Sequence, residues 1–243
     1  MPLAGPLSRW ERARQERWLL RRRLRQSRSV FAVGTDPVKV GLVASLAHPG
    51  GNVTGVTAVN VELIAKRLEL MHSLVPPGTA IGVLVNPANA PQTAAEKTIV
   101  QNTGRALGSD FLVLTASSPV EIDAAFGGLV DERVGALVVS GENFFLTQRN
   151  RLVDLAVQHA VPAIYAYSEF PVAGGLMSYG TNYAEPYPVL GEYVGRIVKG
   201  EKPADLPVQQ VTKVDLVINL KTAKTLGLVI PLPLLGRADQ VIE

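Results

Sequence analysis

The stretch AIGVLVNPAN, residues 80–89, decides the reading of the fold. A short apolar run enters an Asn-Pro-Ala-Asn turn, and a helical segment follows from about 91 to 107. A run that is apolar at successive positions, without alternation, is a strand buried on both faces. The same unit recurs. DFLVLTASSP (110–119) leads into a predicted helix over 119–132, and GALVVSGEN (135–143) into one over 146–160. PAIYAYSEF (162–170) reads as a further strand. Strands and helices in this alternation predict βαβ units around a parallel sheet, and hence an α/β fold. No internal repeat is evident.

Working outward, residues 30–33 read as a strand, 38–47 as a helix closed by His48-Pro49-Gly50-Gly51, 53–57 as a strand, and 60–74 as an amphipathic helix stopped by Pro76-Pro77-Gly78. Downstream, GGLMSYG (174–180) is a strand and 184–199 a helix ending at Gly200. KPADLPV (202–208) is a loop, VDLVINL (214–220) a strand, 221–226 a short helix, and the remaining tail closing structure.

The 243 residues are 47% hydrophobic and 19% charged, the balance of a globular chain with enough apolar content for a core. The net charge of +3 divides unevenly. Residues 1–28 hold nine arginines against Glu11 and Glu16, whereas the rest of the chain holds 15 basic and 19 acidic side chains. The mildly acidic body gives no electrostatic reason to expect a nucleic-acid partner. The basic arm contains both tryptophans and reads as a weakly amphipathic helix over 8–25. Its longest apolar run, Trp18-Leu19-Leu20, is too short for the core of an export signal. The absence of cysteine excludes disulfides, thiolate metal sites and a cysteine nucleophile. No apolar run reaches the roughly 18–20 residues that cross a bilayer.

Ligands of open parallel sheets bind beyond the carboxyl ends of the strands. That rule selects the loops at 34–37, 86–89, 115–119, 141–145 and 167–170. Asn86 and Asn89 bracket a turn, which is also an ordinary place for asparagine. Glu142 follows a buried strand near a helix start, where a carboxylate also complements the helix dipole. Glu169, between Tyr167 and Phe170, is a seat for an ammonium group. Signals for catalysis are lacking: there is no Gly-x-Gly-x-x-Gly after a strand, no P-loop, and no Gly-x-Ser-x-Gly elbow at Ser140. His48, His72 and His159 show no metal-ligand spacing. No catalytic residue, cofactor or metal site is read, and the chain is not expected to be an enzyme.

Six segments together, VGTDPVKVGLVASLAHPGGNVTGV (33–56), AKRLELMHSLVP (65–76), VLVNPAN (83–89), PAIYAYSEFPVAGGLMSYG (162–180), GEKPADLPVQQVTKVDLVINLKTAKTLGL (200–228) and IPLPLLGRADQVIE (230–243), closely resemble the ABC-transporter substrate-binding family often called TrpX-like. The resemblance runs from about Ser29 to Glu243. It implies a type I periplasmic-binding fold: two α/β lobes closing on a small solute, an amino acid and aromatic ones among the candidates, for delivery to the membrane subunits of an ABC permease. It also implies a periplasmic location. On this reading the lobes are 29–79 with 171–243, and 80–170. The first lobe is incomplete at its front, with residues 1–28 standing as a basic arm foreign to the family. A disrupted start, a replacement helix and a nucleic-acid arm are all readings of that arm. An incomplete first lobe leaves strand 30–33 as an exposed edge, through which self-association is expected.

The resemblance implies ligand contacts from both lobes. Asn86 and Asn89 are assigned to a ligand carboxylate, Glu142 and Glu169 to its ammonium, and Phe144, Tyr167 and Phe170 to its side chain. Thr35 and Asp36 come from the first lobe, with Ser178 and Tyr179 near the crossover. Relatives usually carry Asp-Pro where this chain has Glu142-Asn143. A ligand-sensing domain of the LacI-like two-lobed type is the alternative, although the arm is too short for a three-helix DNA-binding module. An α/β enzyme has only shared architecture in its favour.

Overall fold

The computed structural model describes residues 27–58, 60–182 and 186–243, so the helix expected over 8–25 lies outside the described residues. The chain divides into two compact units, Met1–Ala58 with Glu185–Val211 and Val59–Ala184 with Thr212–Glu243. These boundaries replace the expected 79/80 and 170/171. The reason is sheet pairing: the strand over 177–181 and the closing strands hydrogen-bond into the larger sheet, not the smaller one.

In the first unit, β1 (Ser29–Val33), β2 (Val53–Ala58) and β8 (Gln209–Val211) form a parallel sheet in the order β1-β2-β8. The register runs from Ser29 opposite Val53 to Val33 opposite Thr57. Among the described residues β1 has a strand neighbour on one side only. The core here is small: Val43, Val53 and Val208, with Phe31, Leu42 and Leu46 against them. Buried hydroxyls reinforce it. Thr54 Oγ1 donates to the Leu206 carbonyl at 2.6 Å, and the Tyr193 hydroxyl donates to the Pro207 carbonyl at 2.6 Å. The polar three-residue β8 lies just beyond the loop expected over 202–208, and a short edge strand carries no apolar run to announce it.

The helix expected over 38–47 is absent, and the segment is a chain of turns. Asp36 Oδ1 takes the backbone N–H groups of Val38 and Lys39 at 2.9 and 3.2 Å, an Asx-type turn competing with helix initiation. Gly41 then adopts a left-handed φ of 73°, which ends any helical turn.

The second unit is built on a seven-stranded sheet. Its strands in chain order are β3 (Ala80–Val85), β4 (Phe111–Thr115), β5 (Val134–Val139), β6 (Ala163–Tyr165), β7 (Met177–Thr181), β9 (Val214–Asn219) and β10 (Gln240–Ile242). The spatial order is β10-β9-β7-β6-β5-β3-β4, parallel throughout except that β7 and β9 are antiparallel. Alternate residues of each strand enter two cores, as the two-residue period requires. Ile81, Val83, Ala136, Val138 and Ile164 face one core; Leu84, Leu137, Val139, Ala163 and Tyr165 face the other. The first is covered by α1 (Ile64–Leu74), α2 (Ala90–Leu107), α8 (Leu220–Thr225) and α9 (Leu232–Leu235). The second is covered by α3 (Pro119–Asp131), α4 (Asn143–Thr147), α5 (Arg149–Gln158) and α6 (Glu169–Val172). The remaining helix, α7 (Pro186–Val198), belongs to the first unit.

The single helix expected over 146–160 is two, α4 and α5, meeting at Gln148. The Gln148 N–H reaches the carbonyls of Phe144 and Phe145, which closes α4, and its own carbonyl accepts from Leu152 to start α5. Gly180 marks the closest backbone approach: a Cβ there would lie 1.9 Å from the carbonyl oxygen of Ala166.

Candidate functional site

The carboxyl ends of β3 and β5 bring Asn86, Asn89 and Glu142 together in the second unit. Each asparagine first serves its own turn. Asn86 Oδ1 accepts from Ala88 N at 3.0 Å, and Asn89 Oδ1 accepts from Gln92 N at 3.5 Å as the N-cap of α2. Their amide nitrogens remain available for the site. Asn86 Nδ2 donates to Glu142 Oε2 at 3.4 Å, and Asn89 Nδ2 donates to Glu142 Oε1. Asn89 Nδ2 also donates to Gln92 Oε1 at 3.2 Å, so both of its N–H groups are committed. Glu142 stands at the N-cap position of α4 but makes no capping bond, and its half-buried carboxylate turns to the two amides instead.

Below this cluster lies a buried polar network that sequence reasoning missed. Gln92 Nε2 donates to Glu96 Oε1 at 3.0 Å and also reaches the Ser140 hydroxyl and the Gly141 carbonyl, both at 3.3 Å. The Ser140 hydroxyl lies 2.6 and 2.8 Å from the two oxygens of Glu96. Glu96 and Arg67 are both fully buried. Arg67 donates through Nε to the Tyr179 carbonyl at 2.9 Å and through Nη2 to the Asn60 carbonyl at 2.7 Å. Asn60 Oδ1 in turn accepts from the backbone N–H and the hydroxyl of Thr181, at 3.3 and 3.0 Å. Two buried donors, Arg67 Nη1 and Asn60 Nδ2, lack a protein partner.

Burial pushes the Glu96 carboxyl above the usual glutamate range. The bonds from Ser140 and Gln92 and the charge of Arg67 oppose that shift, and Glu142 adds to it. Burial likewise pushes Arg67 down to about 10, opposed by Glu96 and then by Tyr167 and Tyr179. The pair is therefore an interior charge and counter-charge, each made tolerable by the other.

The signals for this network were present. Arg67 shares the apolar stripe of α1 with Ile64, Leu68 and Met71, where a solvated arginine does not belong. Asn89, Gln92 and Glu96 recur at three- and four-residue spacing from the N-cap of α2, hence on one face.

The other expected site residues take the following places within their own units. Phe170 is core: its ring stacks on Tyr165 at 4.2 Å with 9° between planes, so side-chain contact with a ligand is withdrawn for it. Phe144 is partly buried and lies 5.4 Å from the ring of Phe145. Tyr167 is buried at the end of β6, and its hydroxyl oxygen is 3.7 Å from where a Cβ on Gly141 would stand. Glu169 is in the first turn of the four-residue α6. Ser178 is buried within β7, and Tyr179 contributes its carbonyl to Arg67. Thr35 and Asp36 belong to the first unit, where Asp36 holds its own turn and the Thr35 carbonyl accepts from Thr57 Oγ1 at 2.9 Å. His72 Nε2 is 3.0 Å from Ser109 Oγ, and His159 packs on Phe126 at 5.8 Å between ring centroids. Among the described residues no group of three potential metal ligands is found.

The chain is 27% identical over 199 residues to the tyrosine-binding protein of Clostridioides difficile (strain R20291), a match covering 82% of this chain and 56% of that protein. It thus spans little more than half of that relative. Among solved structures, the ABC domain in complex with L-Trp from Streptococcus pneumonia is similar, with a TM-score of 0.75 and 29% identity over 88% of this chain and 73% of that one. A conserved domain protein from Vibrio cholerae O1 biovar El Tor gives a TM-score of 0.74 and 28% identity, over 85% of this chain and 69% of that one. The fold is thereby the type I periplasmic-binding fold. The family model for ABC transporter substrate binding proteins matches residues 26–242, and the chain belongs to that family.

Proposed function

We propose that this chain is the solute-binding component of an ABC uptake transporter, that it works in the periplasm beside its permease, and that its solute is an amino acid with an aromatic side chain. The observation that carries this reading is the Glu142 carboxylate, held by the amides of Asn86 and Asn89 at the carboxyl ends of β3 and β5. A fixed, half-buried carboxylate with open lone pairs is the group that receives a ligand ammonium. Asn89 spends both N–H groups on Glu142 and Gln92, so it positions the carboxylate. Asn86 keeps one N–H for the ligand. The tyrosine- and L-Trp-binding relatives support an aromatic side chain. Solute-binding proteins of this kind bind without converting their ligand, and the Ser140 hydroxyl, which Glu96 holds at 2.6 Å, is buried together with that carboxylate.

The test is calorimetry with L-tyrosine, L-tryptophan, L-phenylalanine and a branched-chain amino acid, on wild type and Glu142→Ala. Micromolar or tighter binding of an aromatic member, weakened about tenfold or more by the substitution, is expected; tenfold corresponds to about 1.4 kcal/mol. No heat from any of the four refutes the amino-acid reading. Unchanged affinity in Glu142→Ala refutes the ammonium role.

A further inference from the structure

We propose that Glu96 is the positioning residue of this site: through Gln92 and Ser140 it sets where Asn89 and Glu142 stand, without itself reaching the ligand. The inference rests on the solute-binding reading above and extends it to a residue buried away from the solute.

The chain of contacts is continuous. Glu96 takes Gln92 Nε2 at 3.0 Å; Gln92 Oε1 takes Asn89 Nδ2 at 3.2 Å; Asn89 Nδ2 holds Glu142. A second branch runs from Glu96 to the Ser140 hydroxyl at 2.6 Å, on the residue two before Glu142. One carboxylate therefore ties the first turns of α2 to the end of β5, which are the two elements that bear the site. Backbone geometry reinforces this arm, since Glu142 N donates to the Ser140 carbonyl at 2.9 Å.

Glu96 is fully buried, so it does not contact a solute directly. An interior carboxylate is costly even when paired, and apolar residues of similar volume commonly match or exceed the stability of such a pair. Its partners indicate what it does there. Arg67 on α1 offsets its charge, Glu142 opposes it, and its hydrogen bonds go to the two residues that lead into the site. Removing the carboxylate frees the Gln92 side chain, whose amide then has only Ser140 Oγ and the Gly141 carbonyl, both at 3.3 Å. The hold on Asn89 loosens with it.

The test uses the full chain as wild type, Glu96→Gln and Glu96→Ala, each checked for fold by circular dichroism. Two readouts are taken: calorimetric titration with L-tyrosine and L-tryptophan, and the side-chain amide signals of Asn89 and Gln92 by nuclear magnetic resonance. Glu96→Ala is expected to raise the dissociation constant about tenfold or more and to move both amide signals, the scale on which supporting residues act on a bound group. Glu96→Gln keeps an acceptor for Ser140 and Gln92, and is expected to recover most of the affinity and to return the amide signals toward wild type. Wild-type affinity in folded Glu96→Ala, or equal losses in both variants, overturns the proposal. Gln92→Leu cuts the same chain one link nearer the site; it carries the test if Glu96→Ala does not fold, with the same expected loss and with wild-type affinity as the refuting result. If neither amino acid binds wild type, the solute reading fails by itself. The amide signals then still decide the relay: movement of Asn89 in Glu96→Ala supports it, and no movement overturns it.

Discussion

Replacing Arg67 with methionine tests the electrostatic core of the second unit. The guanidinium is fully buried and donates to the carbonyls of Tyr179 and Asn60 at 2.9 and 2.7 Å. Methionine fills similar space and removes the unpartnered Nη1, which returns part of the loss. It leaves the carbonyls of Asn60 and Tyr179 without these donors and Glu96 without its counter-charge. Hydrogen bonds to a charged group contribute roughly 1.5–3 kcal/mol each. The two bonds, less the relief at Nη1, set an expected net loss of about 3–5 kcal/mol. At about 2–4 °C per kcal/mol for a chain of this size, the melting temperature falls by about 6–20 °C. The pH dependence gives the sharper check. Burial already holds the Glu96 carboxyl above its ordinary range, and removing Arg67 raises it further. A carboxyl raised in the folded state stabilises fully below its unfolded value and loses that contribution as pH rises through the folded value. The Arg67→Met deficit should therefore be smallest at low pH, where the buried Glu96 is protonated, and grow as pH rises through the raised folded value of Glu96. Denaturant titrations at several pH values, with Glu96→Gln and the double variant, should show a coupling of about 1–3 kcal/mol. A pH-independent deficit that adds to that of Glu96→Gln would refute the pairing of these two charges.

Three further outcomes follow from local geometry. Gly180→Ala places a Cβ 1.9 Å from the Ala166 carbonyl oxygen, a backbone contact that no rotamer relieves; overpacking at the upper end of about 1–3 kcal/mol or beyond is expected, and a melting temperature within about 2 °C of wild type would show that the strands part freely. Asn219→Ala removes the N-cap of α8 and the bond from Nδ2 to the Pro171 carbonyl at 2.9 Å; a loss of about 1–3 kcal/mol in denaturant unfolding is expected, and none would show that water replaces both bonds. Arg151→Ala removes an exposed pair with Asp123; the melting temperature should not change, while the Asp123 carboxyl, held below its usual range by Arg151, should titrate at a higher pH by nuclear magnetic resonance.

The parts legible in the sequence are those whose signal is carried by apolar runs. β3, β4, β5 and β9 were read within a residue or two, because each carries an apolar run, continuous in β3, β4 and β5 and interrupted by Asp215 in β9. The failures come where a side chain or a single backbone conformation overrides the pattern. Asp36 and Gly41 dissolve the expected helix over 38–47, and Gln148 divides α4 from α5. The lobe boundaries failed for a different reason. Whether β7 joins one sheet or the other depends on its pairing with β6 and β9, and pairing leaves no trace in the composition of a five-residue strand. The site divides in the same way. Asn86, Asn89 and Glu142 could be grouped from the sequence because loops at strand ends are few, and the structure brings these three side chains together. Phe170 was misread, because an aromatic beside a carboxylate looks alike in a binding loop and in a core; its ring against Tyr165 decides for the core.

The buried charges make sense as devices for position. Arg67 binds the carbonyls of Asn60 and Tyr179, and Asn60 binds Thr181. Asn60 is the second residue of the segment that enters the second unit, and Thr181 lies three residues before the segment leaves it. One arginine and one asparagine thus hold the entry and exit of this segment to each other. Glu96 performs the corresponding task between α2 and β5, below Glu142. An apolar core resists compression but holds no single hydrogen-bond register; directional bonds from a buried ion do. If stability alone had shaped this interior, a methionine–leucine pair would serve in place of Arg67 and Glu96 at least as well. The double variant Arg67→Met/Glu96→Leu separates the two demands. Near-wild-type unfolding energy with amino-acid affinity lost would show that the ions are kept for the placement of Asn89 and Glu142. Retained affinity in that folded variant would show that packing alone places them.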